Sequence, residues 1–193
     1  MLTLLPNFIL DVIFSYLDLE SLCEISLTCK QFHTLALPLI FRELTVNEAS
    51  ESKERKFLKK RGGLVKGLTL PRATVISDLR DARLSLKKVF PQLSALYIQT
   101  VYTLSPYFYG KFVEECMKAT SLKHVSIFGR ISGLSDPNMF VPVISKLDSV
   151  CFNSLPLFIV ENSQIYVGLK RLVIPIEYLS SIPKFAKDRH FSL

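Results

Sequence analysis

The sequence predicts an α+β chain in two parts: a three-helix N-terminal module, then a short, irregular α/β solenoid in which strands alternate with helices. Three observations point there. Residues 1–46 show helical apolar spacing with a capping residue at each start, and an apolar frame, Leu-x-x-Leu-x-Leu or a variant of it, recurs five times between Val65 and Ile174. The charge also changes sign: residues 1–50 hold two basic side chains against six acidic, and the other 143 hold 22 against 11. Such a step marks two units with different surfaces. With 49% hydrophobic and 21% charged residues in 193, the chain can bury a core, which excludes disorder as its main state. No apolar run approaches the roughly 18 residues of a membrane span.

Each helix of the first module has a start signal. Pro6 suits a first helical position, where its missing N–H goes unused, and the helix it opens runs to Leu17. Phe8, Ile9, Leu10, Val12, Ile13, Phe14, Tyr16 and Leu17 leave only Asn7, Asp11 and Ser15 as a polar stripe. A helix so apolar needs cover on two sides. Asp18 caps a second helix bearing Leu19, Leu22 and Ile25, and Thr28 with Gln31 forms a capping box for a third, with Phe32, Leu35 and Ala36, ending at Pro38. Three short helices cannot enclose all these side chains, so the surplus belongs against a partner. Met1 to Leu22 lacks the cationic start of a signal peptide and contains Pro6, Asp11, Asp18 and Glu20, so it is read as mature, folded protein.

In order and spacing, Leu5-Pro6, Ile13-Phe14-Ser15-Tyr16-Leu17-Asp18-Leu19-Glu20-Ser21-Leu22, Thr28-Cys29-Lys30-Gln31-Phe32 and Pro38-Leu39-Ile40-Phe41-Arg42 resemble an F-box. One departure is Phe32, where many members have Trp. The resemblance implies a three-helix motif docking on the Skp-type adaptor of an SCF ubiquitin ligase and, through it, reaching a cullin. Carried over by position, the adaptor-facing residues are Leu5, Pro6, Ile9, Leu10, Ile13, Leu22, Cys29 and Phe32.

Residues 47–63, polar and basic and closed by Gly62-Gly63, read as a basic linker or an exposed helix. Beyond them the frame falls on Val65, Leu68, Leu70; Leu93, Leu96, Ile98; Leu122, Val125, Ile127; Leu147, Val150, Phe152; and Leu169, Leu172, Ile174, with starts 28, 29, 25 and 22 residues apart. These periods lie in or near the leucine-rich-repeat range. Between strands the spacing becomes helical: from Ser77 through Leu79, Ala82, Leu86, Val89 and Phe90; from Ser105-Pro106 through Tyr109, Phe112, Val113, Cys116 and Met117; and from Asp136-Pro137 through Phe140, Val143 and Ile144, where Pro142 shortens or kinks the run. The polar turn residue of the consensus is replaced by Ala73, Val101, Arg130, Leu155 and Glu177, so the repeats are degenerate. Residues 64–193 are thus expected to be a leucine-rich-repeat-like recognition domain, with no polar capping repeat before Leu193 and therefore short or incomplete.

Alternate strand positions face the other side of the sheet, where a solenoid takes its partner. The candidates for contact with a protein substrate are Tyr97, Gln99, His124, Ser126, Phe128, Asn153 and Arg171. Nothing points to catalysis: no nucleophile elbow, P-loop or dinucleotide fingerprint is present. His33, His124 and His190 are isolated, and Cys23, Cys29, Cys116 and Cys151 form no C-x-x-C pair, so neither a metal nor a cofactor is expected and the cysteines read as core residues of a reducing compartment. The segment Lys53 to Lys88 holds twelve basic residues against three acidic, but it lacks a nucleic-acid-binding motif, and its charges alternate with core leucines. The expected role is a non-catalytic, cytoplasmic or nuclear substrate receptor. The alternatives are an adaptor-bound interaction protein with no ligase role and a nucleic-acid binder using residues 53–88.

Overall fold

The structure, a computed structural model, describes residues 5–46, 52–71, 85–99, 106–129, 140–153 and 168–174. The first three helices are α1 (Asn7–Ser15), α2 (Leu19–Ser26) and α3 (Lys30–Ile40). Pro6 stands one place earlier than expected, at the N-cap of α1, where its carbonyl accepts from Ile9 and Leu10. Asp18 caps α2 as its sequence position predicts, Oδ1 accepting from the Ser21 N–H at 2.8 Å. That backbone bond favours the ionised carboxylate and lowers the Asp18 pKa.

The capping box expected at α3 does not form. Cys29 is the N-cap, its Sγ accepting from the Phe32 N–H at 3.5 Å, while Thr28 donates to the Ile25 carbonyl at 2.8 Å. Gln31 Nε2 instead donates to Asn7 Oδ1 at 2.9 Å, tying α3 to α1. Pro38 lies inside α3 and does not end it. The helix continues to Ile40 because proline removes only its own N–H while Leu37 and Leu39 still accept from Phe41 and Arg42.

Among the described residues six strands make one parallel sheet in chain order: β1 (Glu43–Thr45), β2 (Gly67–Leu70), β3 (Ala95–Gln99), β4 (His124–Phe128), β5 (Ser149–Phe152) and β6 (Arg171–Val173). Its register is the sequence frame: Leu68, Leu96, Val125, Val150 and Leu172 are successive partners, as are Leu70, Ile98, Ile127 and Phe152. The sequence frame omits β1, where Leu44 partners Leu68 and the Val46 N–H donates to Thr69 at 3.0 Å. Phe41, Leu44 and Val46 repeat the same spacing, and Val46 is buried in the sheet core. Residues 43–46, read from sequence as the end of the helical module, are therefore the first rung of the sheet.

Of the two readings of residues 47–63, linker or exposed helix, residues 52–61 take the second as α4 (Ser52–Arg61), followed by a 3-10 turn (Gly62–Leu64), although Leu58 is buried in the sheet core. Of the helix expected from Ser77, the described part is α5 (Leu86–Val89); the rest lies outside the described residues. Helix α6 (Pro106–Lys118) opens where Ser105-Pro106 predicts, burying Phe112 and Cys116 but leaving Met117 exposed. Burial pushes the Cys116 thiol pKa upward. Pro142 falls in the first turn of α7 (Val141–Ile144), so it starts that helix and does not kink it.

Two separate cores result. One holds Leu10, Phe14, Leu22, Phe32 and Ala36 among the first three helices; the other joins one face of the sheet to Leu58 and to apolar residues of α5, α6 and α7. Polar ties run between successive units of the second. Leu86 N–H donates to Glu115 Oε2 at 2.8 Å, and Lys146 Nζ donates to the carbonyls of Met117 at 3.1 Å and Ala119 at 3.0 Å.

Candidate functional site

Two surfaces stand out among the described residues. The first is a face of α1. At about 100° per residue, Leu10, Phe14 and Leu17 share one side and turn into the bundle, where the Phe14 and Phe32 rings meet edge-on, centroids 5.4 Å apart. Phe8, Val12, Tyr16, Ile9 and Ile13 span an adjoining arc of about 140°. All five are exposed, Tyr16 at 85% and Phe8 at 67%, and Leu19 at the start of α2 adds 60%. Single exposed apolar residues are ordinary, whereas five on one arc of a helix make the kind of patch that interaction sites present.

The expected adaptor-facing residues divide on this point. Pro6, Ile9 and Ile13 are exposed, and Leu5 and Cys29 are half-buried. Leu10, Leu22 and Phe32 are interior at 1%, 6% and 7% exposure, because the three helices need them as their own core. In their stated places they offer no surface. Phe8, Val12, Tyr16 and Leu19 are instead exposed apolar side chains of this module. Their signal was present in the all-round apolarity of α1, but inward and outward residues are alike in type, so spacing alone did not separate them.

The second surface is the sheet face opposite the core. Parallel sheets are usually covered on both sides and read as continuous hydrophobic runs. Here polar residues alternate with apolar ones, and this face holds Thr69, Tyr97, Gln99, His124, Phe128, Cys151, Asn153 and Arg171, all at least partly accessible. Gln99, Phe128, Asn153 and Arg171 are exposed, while Tyr97 and His124 are half-buried with ring centroids 5.3 Å apart. Burial first, and the Arg171 charge second, hold the His124 pKa below its ordinary value.

One candidate there is corrected. Ser126 is 2% exposed, between Tyr97 and Cys151 on the neighbouring strands, and offers no accessible hydroxyl. Asn153 stays exposed on this face while its Oδ1 accepts from the Gly129 N–H at 2.8 Å, closing the end of β4. The cysteines are also not uniformly core residues: Cys116 is buried, Cys29 and Cys151 are half-buried and Cys23 is exposed.

Among the described residues no group of three His, Cys, Asp or Glu side chains is placed to hold a metal ion, and no helix is long and apolar enough to cross a membrane. A family model for F-box-like domains matches residues 2–47. No curated protein gives a significant match to the chain.

Proposed function

We propose, from the match of residues 2–47 to a family model for F-box-like domains, that the chain is a substrate receptor that docks on a Skp-type adaptor through α1 and presents a target protein on its sheet. The observation that carries this reading is the outward apolar arc Phe8, Ile9, Val12, Ile13 and Tyr16, with Leu19 beside it. An adaptor groove lined by apolar side chains would bury that arc at roughly 1.5–3 kcal/mol per large side chain. Leu5, Pro6 and Cys29 of the same module are also at least partly accessible.

The remaining residues form a short leucine-rich-repeat-like domain in this reading. Support comes from the recurring apolar frame and the strictly sequential parallel sheet. Its open face, centred on Tyr97, His124 and Phe128, would contact the target through aromatic anchors with polar neighbours. The receptor would supply no reacting group. Its contribution would be effective concentration, holding the target close to a ubiquitin-charged enzyme on the cullin arm.

The test is co-expression of the full chain with a Skp-type adaptor followed by size exclusion. The wild type and a Tyr97→Ala, Phe128→Ala variant are expected to elute as a stoichiometric complex. Ile13→Asp places an unpaired charge in an apolar contact and should abolish the complex while leaving the helical circular dichroism unchanged, since the side chain is not part of the bundle core. A wild type that elutes alone, or a folded Ile13→Asp chain that still co-elutes, overturns the reading.

A further inference from the structure

Three residues of the open face share one register row: His124 on β4, Ser149 on β5 and Arg171 on β6. Strands lie about 4.8 Å apart, so Ser149 stands midway along a span of roughly 10 Å between an imidazole and a guanidinium. Arg171 is exposed, His124 and Ser149 are half-buried, and the Arg171 charge acts on His124. Among the described residues neither the Ser149 hydroxyl nor the Arg171 side chain has a hydrogen-bond or ion-pair partner. Asp148 and Lys170, one residue earlier on the same two strands, alternate to the other side and pair with each other at 3.0 Å. Glu43, the acid at the far end of the row, lies over Gly67, three strands from Ser149.

Two residues further along the strands, about 7 Å away, the next row changes character. Ser126 and Cys151 are small, and Val173 follows them on β6. Tyr97 flanks Ser126 across the sheet and the exposed Phe128 flanks it along β4, which leaves a shallow, mainly apolar depression over Cys151.

We infer that this part of the sheet binds a target segment in which an Asp or Glu and a large apolar residue stand two positions apart, with the carboxylate over Ser149 between His124 and Arg171 and the apolar side chain over Cys151 beside Phe128. Alternate residues of an extended chain point to one side and recur at about 7 Å, the separation of the two rows. The carboxylate meets a guanidinium, a hydroxyl and the one N–H that a neutral imidazole retains. Charge decides against a phosphoryl group. With His124 neutral and Lys170 held by Asp148, the row offers a single positive charge, which one carboxylate balances, whereas a phosphoserine at roughly −1.5 to −2 is left in excess. Such a site presupposes that the open sheet is the target-binding face, as proposed above, but not that α1 docks on an adaptor.

NMR of the full chain at neutral pH, reading the His124 ring, tests this with two blocked tripeptides, acetyl-Asp-Gly-Phe-amide and acetyl-Phe-Gly-Asp-amide. At least one order should shift the His124 signals saturably, binding about three- to tenfold more tightly than its Asn or phosphoserine counterpart. It should also raise the His124 pKa, because a bound anion favours the imidazolium. The titratable or charged groups on this face around His124 are Tyr97 on β3, Cys151 on β5 and Arg171 on β6, and only the Arg171 charge acts on it. Arg171→Gln, folded by circular dichroism, should therefore raise that pKa without ligand and abolish the preference for Asp over Asn. The site is overturned by the absence of a saturable shift with either order, by equal affinity for the Asn peptide, by tighter binding of the phosphoserine peptide, or by an Asp preference that survives Arg171→Gln. A chain that co-elutes with the adaptor while His124 ignores both tripeptides loses this site and keeps its docking; one that binds a tripeptide but not the adaptor does the reverse.

Discussion

Gly62 shows how a residue can be dictated by a neighbour far along the chain. A Cβ there would collide with the carbonyl oxygen of Val89, a backbone atom that cannot swing aside, whereas a Cβ on Gly63 would meet nothing within 4 Å. Gly62→Ala should lower stability by about 1–3 kcal/mol through overpacking, with Gly63→Ala close to neutral; urea midpoints of the two variants check this. From sequence, both glycines read alike as the end of a linker.

His124 is a second case at this scale. Its pKa in the folded protein lies below the unfolded value of 6.5 because burial and Arg171 disfavour the imidazolium. The unfolded chain thus binds the proton more tightly, so the neutral histidine's contribution is complete above pH 6.5 and is lost as pH falls through the folded pKa. His124→Gln should flatten the dependence of the urea midpoint on pH between neutral and mildly acidic solution. An unchanged slope would place the titration elsewhere.

At the scale of elements, α6 shows what was readable in the sequence and what was not. Its start at Pro106 and its buried pair Phe112 and Cys116 follow from helical spacing and a proline in the first turn. Its end does not. The carbonyls of Cys116, Met117 and Ala119 are capped by Lys146, which lies 27 to 30 residues further along the chain. A helix C-terminus favours a cation, and charged hydrogen bonds strengthen the effect. Lys146→Met should therefore cost about 1 kcal/mol, read as a lower denaturant midpoint. Surface pairs within α6 are less informative. Bonds from Lys111 and then Lys118 pull the Glu114 carboxyl down to about 2, but the group is fully exposed and solvent screens the pair. The same contrast applies at α3, where Thr28 and Gln31 had the right types and spacing for a box, yet Gln31 binds Asn7 on another helix instead.

Across the whole molecule, the two cores are joined without a flexible link. β1 begins three residues after α3 ends, the Arg42 carbonyl accepts from Lys66 and Gly67, and Phe41 at the end of α3 meets Phe57 of α4 at 5.4 Å. Arg61 stacks over the same Phe41 ring, 5.6 Å from its centroid. Helices and sheet should consequently unfold in one transition, with hydrogen-exchange protection lost together in α3 and β2. Val46→Ala, at the junction, should lower both by about 2 kcal/mol through lost burial and a small cavity; separate transitions would refute the coupling.

The frame that became the register of β2 to β6 was legible because a strand's facing alternates strictly and its partners repeat the same pattern, so residue order alone specifies which side chains turn inward. The helix starts were legible for a similar reason, since caps act within a turn. β1 went unread because Phe41, Leu44 and Val46 also fit the tail of a helical module, and only the pairing of Leu44 with Leu68 assigns that stretch to the sheet. The inner and outer faces of α1 were likewise a matter of packing. Leu10 and Phe14 differ from Ile13 and Tyr16 in where α2 and α3 lie, not in hydrophobicity, so the bundle had to form before the outward apolar arc could be told from the core.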